Sequence, residues 1–451
     1  MIQTDRVVIG AGISGMLAAL RATSRGETVV VLEKEAHAGG LIAPVTIGEI
    51  DIDAGAEAFS TAGESFLQLL KELGLNDHIV SPQRTDARIV ASPTLRYPIP
   101  HGVLGIPSSL EDSELASIIS PQGLEEARRL DAQPVGEIQG LSVAELVKTR
   151  LGSEFVDKLV DPLFSGVHGS SAHTLSAEST IPALLRALTE AGSLCLAARQ
   201  IRAAQPRPGA AVASLSGGMF TLVAELYRLL VSKKVWFSFN SDVTSVQREN
   251  DQWRCETSNG TFVSTHMTIA TGISTAAHVL TSCDSQEVVA ELATPETHSV
   301  DVALVILLVE STQLDSFPLG SGALITVNSD VTAKATTHVN AKWEWVENAL
   351  PEHHHLVRLS YGRDGILPEG DLISLAHEDL PQLYQIDDAT IHSAVVQHWP
   401  GSLYQASTAA NSQQEQLLNT AQKLDVELCG SYISGNGLLG ITRDHYQRMT
   451  P

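Results

Sequence analysis

The sequence predicts an α/β fold: a discontinuous dinucleotide-binding domain, a mixed-sheet second domain and a mostly helical insertion. Three observations carry that reading. The first forty residues run strand, glycine-rich turn, helix, strand. Strand and hairpin signals of the same kind return after residue 205, and a last glycine-rich strand-to-helix stretch closes the chain. Between them, residues 108 to 204 place apolar side chains at helical spacing. At 451 residues the chain is too long for one core, so more than one domain is expected.

The N-terminal block is the most informative. Arg6-Val7-Val8-Ile9 reads as a buried strand that enters Gly10-Ala11-Gly12-Ile13-Ser14-Gly15 and then a helix from Met16 to Ser24. A second apolar run, Thr28 to Leu32, ends on Glu33. This is G-x-G-x-x-G in its required Rossmann-like setting, with a strand before, a helix after and an acid at the end of the next strand. Gly10 permits the tight turn, and Gly12 lets backbone N–H groups approach a pyrophosphate at the positive end of the helix. Gly15 lets helix and strand pack closely. Glu33 can accept from a ribose 2′-OH and would repel a 2′-phosphate. Gly39-Gly40 follows at a distance where paired glycines pass close to a cofactor, which shifts the expected dinucleotide from NAD to FAD.

Composition narrows the partners. With 43% hydrophobic and 18% charged residues the chain is a folded globular one. Its 29 basic and 52 acidic side chains leave a net charge of −23, which argues against nucleic acid and against charge-driven docking on anionic lipid. Cys195, Cys255, Cys283 and Cys429 are far apart, so neither a metal site nor a disulfide framework is expected, and a cytoplasmic location fits. Asp5 and Arg6 interrupt any apolar leader. The apolar run Val302 to Val309 has eight residues, too few for a membrane span, and reads as a buried strand.

Later segments follow in order. Asp53 to Phe59 follows a short strand, and Phe66, Leu69, Leu70 and Leu73 predict a helix stopped by Gly74. Ser142 and Glu145 form a capping box ahead of a helix, and Pro162 should bend or end the apolar pattern Phe155, Leu159, Leu163. Pro206, Pro208 and Gly209 make a breaker. Ser216-Gly217-Gly218-Met219 opens a helix, and Asn259-Gly260 marks a hairpin followed by a strand from His266 to Ala270. Trp343 and Trp345 are expected on one face of a strand. His353-His354-His355 reads as a solvated turn, because adjacent side chains do not converge on one ion. The resulting boundaries are 1–80, 205–275 and 398–451 for the FAD-binding domain, 81–107 and 276–397 for the substrate domain, and 108–204 for the helical insertion.

Together these blocks resemble the FAD-dependent protoporphyrinogen and coproporphyrinogen oxidases of haem biosynthesis, within the amine-oxidase-like flavoproteins. The most specific block runs from Ser142 through Arg150-Leu151-Gly152 and Leu159-Val160-Asp161-Pro162-Leu163-Phe164-Ser165-Gly166-Val167-His168-Gly169 to Leu175-Ser176. It is similar to that family's "RLG…LVxPLxxGVYAGDPxxLS". Leu95 to Pro100, Trp399 with Gln405, and Leu439-Gly440-Ile441 are similar to further family blocks. His168, Tyr404 and Leu438 depart from the family pattern.

The resemblance implies oxidation of a porphyrinogen, most simply coproporphyrinogen III to coproporphyrin III in the bacterial branch. Hydride would pass to flavin N5, with O2 as final acceptor giving H2O2 and a ferrochelatase as the next station for the product. It implies FAD contacts at Gly10, Ala11, Gly12, Ile13, Ser14, Gly15, Glu33, Lys34, Gly39, Gly40, Leu41, Gly55, Ala56, Glu57, Ala58, Val243, Trp399, Leu439, Gly440 and Ile441. Arg88 and Arg96 would meet propionates and the Gly166 carbonyl a pyrrole N–H. No protein nucleophile is required and no metal is implied. Protoporphyrinogen IX as substrate, a flavin amine oxidase, and a FAD-containing porphyrin-binding protein without turnover stay open, as does the oligomeric state.

Overall fold

In the computed structural model the apolar run of the first strand extends to β1 (Ile2–Ile9) and feeds α1 (Ile13–Ser24), and β2 (Val29–Leu32) lies parallel to β1. The structure describes residues 1–203, 212–283, 299–327, 329–404 and 408–449. The Pro206, Pro208 and Gly209 breaker and Gln405 lie outside them.

The first sheet has seven strands, of which five run parallel in the order Trp236–Ser238, β2, β1, Gly260–Ile269, Val426–Leu428, and Gln252–Thr257 and Val243–Glu249 add to it antiparallel. Pieces from the start, middle and end of the chain therefore share one sheet. The Asn259-Gly260 turn joins Gln252–Thr257 to Gly260–Ile269. The expected strand from His266 is corrected here: it is the second half of that one long strand. Its first half pairs antiparallel within the hairpin and its second half pairs parallel with Val426–Leu428. The polar pair Ser264-Thr265, which looks like a break in sequence, sits where the partners change.

The second sheet has seven strands, in the order Thr390–Tyr404, Ser299–Glu310, His354–Tyr361, Ala335–His338, Gly322–Ile325, Arg88–Ser92, Leu95–Pro98. All neighbours are antiparallel except Gly322–Ile325 with Arg88–Ser92, so the sheet is mixed. One face packs on helix Leu372–Tyr384 through Val305, Leu307, Val357, Leu359 and Tyr361. The other face meets two separate layers. At one end is the hairpin Pro44–Ile47 and Ile50–Asp53, with Ile306 and Leu356 in the shared cluster. At the other end lies a helical layer, with Ile89 and Tyr97 in its core.

Helices Pro121–Asp131, Val143–Leu151, Asp161–His168, Pro182–Ala191 and Leu194–Ala203 build that layer. Ser142 and Glu145 make both capping-box hydrogen bonds. The Phe155–Leu163 pattern does not end at Pro162: helical backbone runs on through Val160 and Asp161 into Asp161–His168, and the ladder changes to a π turn, Val156–Val160, just before the proline. Among the described residues no helix is long and apolar enough to cross a membrane.

Two local expectations need correction. Trp343 and Trp345 lie on the short helices Val339–Lys342 and Glu344–Glu347 and the residue between them, not on a strand. Two tryptophans two apart are too short a pattern to separate strand from helical turn, and burial of Trp343 and Val346 against Leu356 decides it. The three histidines also separate. His353 turns at φ 60° and pairs with Asp315, whereas His355 is buried in a strand and its Nδ1 lies 3.0 Å from Nε2 of His338.

Candidate active site

The glycine-rich turn shows why each glycine is there. A Cβ on Gly15 would lie 1.9 Å from the Gly10 carbonyl oxygen, so only glycine lets α1 sit this close to β1. Gly10, at φ 101°, needs glycine for conformation. Gly12 differs. Its φ of −67° suits any residue, and a Cβ there would meet nothing within 4 Å. Neither backbone nor packing asks for glycine at Gly12. The space it faces is the cradle that a pyrophosphate requires at a helix N-terminus.

The paired glycines belong to the same wall. Gly39 forms a parallel bridge with Gly12 and donates to the Ala11 carbonyl at 2.9 Å, and a Cβ on Gly40 would stand 3.3 Å from the Gly12 Cα. Gly39 at φ 120° and Gly40 at φ 59° hold the backbone turned against the cradle. Glu33 reaches over from the end of β2. Its Oε2 accepts from the Ala11 N–H at 2.7 Å and its Oε1 from the Glu35 N–H at 3.0 Å. Val243 starts the strand next to the turn in which Ser241 donates to the Glu33 carbonyl. Lys34 is exposed beside Glu35, and Leu41 is exposed next to Gly40. The residues present thus fit a dinucleotide: an open cradle at a helix start, and an acid whose carboxylate accepts from the Ala11 N–H of the same turn.

The loop Ala54–Ala58 joins this region to the second sheet. Trp399 Nε1 donates to the Ala54 carbonyl at 2.9 Å, and a Cβ on Gly55 would approach the Trp399 ring to 3.1 Å. Arg358 donates to the Gly55 carbonyl at 3.0 Å. The Glu57 side chain turns into a largely buried ion triad, with Lys342 Nζ at 2.7 Å and Arg358 at 2.9 Å. Burial would push this carboxyl up, but Arg358 and then Lys342 outweigh it and hold it at about 2. Asp53 goes the other way. Burial raises it to about 7, although it accepts from the Met219 and Phe220 N–H groups at the start of helix Phe220–Ser232.

The C-terminal glycines enter helix Leu438–Gln447 through Gly437 at φ 147°. Leu439 packs on Gly63, and a Cβ on Gly440 would lie 2.0 Å from the Ser434 carbonyl oxygen. Leu438 and Ile441 are half-buried against the core around α1, so this helix start lies beside the N-terminal block.

Between its two covering layers the second sheet has a stretch of face that is only half-buried. The strand His354–Tyr361 alternates: Val357, Leu359 and Tyr361 are buried against helix Leu372–Tyr384, while Arg358 and Ser360 are half-buried on the other face. Cross-strand pairing carries that second face across the sheet through Leu304, Gln397 and Trp399 on one side and Ala335, Leu324 and Ile89 on the other. Gln397, Trp399, Ser360, Ala335 and Leu324 are all half-buried. They make a half-buried strip of sheet between the Trp399–Arg358–Gly55 contacts and helix Asp161–His168, and this strip is the candidate floor of a substrate slot. Gly166 of that helix faces Leu324, whose Cδ2 would lie 2.2 Å from an added Cβ.

The three residues expected to bind substrate do not come together. Gly166 meets Leu324 on the slot face. Arg88 pairs with Ala323 and Arg96 with Val90, which places both arginines on the opposite face, toward helix Leu372–Tyr384. Arg96 donates to the carbonyls of Pro93 and Gln382 there. The sequence reading missed Arg358, Lys342 and the slot floor. A usable signal existed: Arg358 and Ser360 interrupt an otherwise apolar strand at every second position, the mark of one wet face.

A family profile described as "Flavin containing amine oxidoreductase" matches residues 13–440. Coproporphyrinogen III oxidase of Bacillus subtilis (strain 168) is 28% identical over 400 residues, covering 84% of this chain and 83% of that protein. The Mycobacterium leprae (strain TN) protein of the same name is 28% identical over 418 residues, covering 88% and 87%. Protoporphyrinogen oxidase 2 of Arabidopsis thaliana is 27% identical over 199 residues, covering 42% and 38%. A solved structure from Exiguobacterium sp. 255-15 superposes with a TM-score of 0.84 at 21% identity, covering 100% of this chain and 98% of that one. A putrescine oxidase structure gives 0.66 at 13%, covering 99% and 98%.

Proposed function

The chain belongs to the flavin-containing amine oxidoreductase family, an FAD-dependent class of enzyme, and on that premise we propose that it oxidises coproporphyrinogen III to coproporphyrin III, with O2 as final acceptor. The observation that carries this reading is the similarity to coproporphyrinogen III oxidases over 84% of the chain. Bound FAD supplies the acceptor for hydrogen removed from the tetrapyrrole, and everything else falls to side chains and backbone.

Gly12 and Gly40 would leave the space for the pyrophosphate, the N–H groups at the start of α1 would hold it, and Glu33 would accept from the ribose. Gly10, Ala11, Ile13, Ser14 and Gly15 form that turn, and Gly39 and Leu41 continue its wall. Gly55, Ala56 and Ala58 would meet the cofactor through backbone, while Glu57 acts at a distance by locking the loop to Lys342 and Arg358. Trp399 steers the same loop through the Ala54 carbonyl. Leu439, Gly440 and Ile441, at the start of helix Leu438–Gln447, would hold the cofactor from the C-terminal side of the domain.

The slot suits a flat apolar ring. Leu324, Ala335 and Ser360 form its floor, and glycine at position 166 lets helix Asp161–His168 come down on Leu324 without filling the gap. Carboxylates are costly to desolvate, so the propionates point to the rim. Holding the ring against the cofactor is the main catalytic contribution, because hydrogen transfer of this kind depends on orientation. The product then passes to a ferrochelatase. The four cysteines are buried and none is in a disulfide, which fits a reducing, cytoplasmic setting.

The test is aerobic turnover of the FAD-loaded protein with coproporphyrinogen III and with protoporphyrinogen IX, read as porphyrin fluorescence and oxygen uptake. Faster turnover of coproporphyrinogen III is expected. Preference for protoporphyrinogen IX would move the assignment to the two-propionate substrate, and no turnover of either would end it.

A further inference from the structure

We propose that the far edge of the second sheet carries a surface binding site for a divalent transition-metal cation of the zinc class, built from Glu310, His354 and His392. Their ligand atoms all lie within 4.8 Å of one another. The residues come from three neighbouring strands, so the geometry depends on the sheet and not on a loop. Glu310 stands opposite His354 in the ladder between Ser299–Glu310 and His354–Tyr361.

His392 reaches the group through an irregularity. In the ladder between Ser299–Glu310 and Thr390–Tyr404, Leu308 pairs with Ser393 and Val309 pairs with Ile391. His392 is therefore the extra residue of a β-bulge. Bulges re-aim a side chain that regular alternation would send elsewhere. Here the imidazole is aimed at Glu310, with Nε2 2.8 Å from Oε2.

The ring nitrogens are set for ligation. His354 Nδ1 lies 2.9 Å from the Glu352 carbonyl oxygen. A carbonyl can only accept, so Nδ1 carries the proton and Nε2 keeps its lone pair. An outer hydrogen bond to a backbone carbonyl that fixes the tautomer is the arrangement usual for metal-binding histidines. The His354 and His392 rings stack nearly parallel, at 5.2 Å and 16°. The proton that His392 Nε2 now gives Glu310 is the one a metal ion would displace.

Two imidazoles and a carboxylate form the donor set of a three-ligand zinc site with an open fourth position. Tetrahedral bonds of about 2.0–2.2 Å put ligand atoms about 3.4 Å apart, so the wider pairs must close and the His392–Glu310 pair at 2.8 Å must open slightly. His392 and Glu310 are 40% and 50% exposed, so that rotation is free of the core. By ligand type Cu2+ and Ni2+ would compete, and Mg2+ and Ca2+ would not. Glu310 lies six residues along its strand from Leu304 in the slot, about 20 Å away. The site is thus separate from the flavin chemistry.

The experiment is equilibrium dialysis of the chelator-treated, FAD-loaded full chain against Zn2+, with metal and flavin quantified together. One Zn2+ per chain is expected. H354A and H392A should each weaken binding at least tenfold and E310Q several-fold, with flavin content, circular dichroism and turnover unchanged. H278A, which removes an exposed histidine elsewhere, should bind as the parent does. Equal zinc binding by the parent and an H354A/H392A double variant would overturn the proposal. So would loss of binding in H353A with retention in H354A. Because these readouts do not depend on porphyrinogen turnover, failure here leaves the oxidase reading standing, and the reverse holds too.

Discussion

Replacing Gly12 by alanine separates what the glycine-rich turn does for the fold from what it does for the cofactor. The backbone at Gly12 is extended, at φ −67° and ψ 173°, so alanine adopts it without strain. The added methyl meets no protein atom within 4 Å. The folding cost is therefore only the weaker helix start of alanine at an N-cap, about 0.5–1 kcal/mol. The cofactor loses far more. The methyl occupies the cradle, and displacing the pyrophosphate breaks one or more charge-assisted backbone hydrogen bonds, each worth about 1.5–3 kcal/mol. That is about a ten- to hundredfold loss of FAD affinity per bond.

Gly15→Ala should behave in the opposite way. Its Cβ would stand 1.9 Å from the Gly10 carbonyl oxygen, so helix and strand must part, at about 1–3 kcal/mol or more. The assay is flavin fluorescence titration of the apoprotein alongside urea unfolding of the same apoprotein. Gly12→Ala should lose affinity with nearly parental apo stability, and Gly15→Ala should lose apo stability first. Parental FAD affinity in Gly12→Ala would refute the placement of the pyrophosphate.

Three further outcomes follow from the structure. Arg358→Met leaves the largely buried Glu57 carboxylate with Lys342 alone, and urea unfolding should show about 1.5–3 kcal/mol of destabilisation; a loss below about 1 kcal/mol would mean that the triad is solvated. His338 is fully buried and burial depresses it to about 3, so the folded state keeps it neutral while the unfolded state takes up a proton below 6.5. Stability should therefore fall as pH drops from 6.5 toward 3, by up to about 1.4 kcal/mol per pH unit, and a flatter profile in His338→Gln would identify the group. In Gly166→Ala the new methyl meets only the end of the Leu324 side chain, which must turn into the slot. The KM for the porphyrinogen should rise several-fold with little change in unfolding midpoint, and the added Leu324→Ala should restore it; equal KM values in all three proteins would remove Gly166 from the slot wall.

The legible part of this protein was the part that is local in sequence. A strand, a tight turn, a helix and an acid within forty residues must form one unit, because backbone hydrogen bonding and the helix start leave few other solutions. That was enough to read a dinucleotide site, and Gly39-Gly40 with the blocks around Gly166 was enough to name FAD and a porphyrinogen-oxidase resemblance. The alternation in Leu356-Val357-Arg358-Leu359-Ser360-Tyr361 also announced a two-faced strand.

What the pattern left undecided is which layer covers which face. Arg88 and Arg96 look like slot cations in sequence, yet pairing with Ala323 and Val90 turns them to the other side of the sheet from Gly166. Glu57 looks like one more residue of a cofactor loop, yet Lys342 and Arg358, far along the chain, draw its carboxylate into a largely buried triad. His354 looks like the middle of a solvated run, and a bulge on another strand gives it a partner. In each case the residue's own neighbours in sequence were silent. A strand specifies that two faces exist, and only the packing of distant elements, through the apolar area they bury, determines what each face meets.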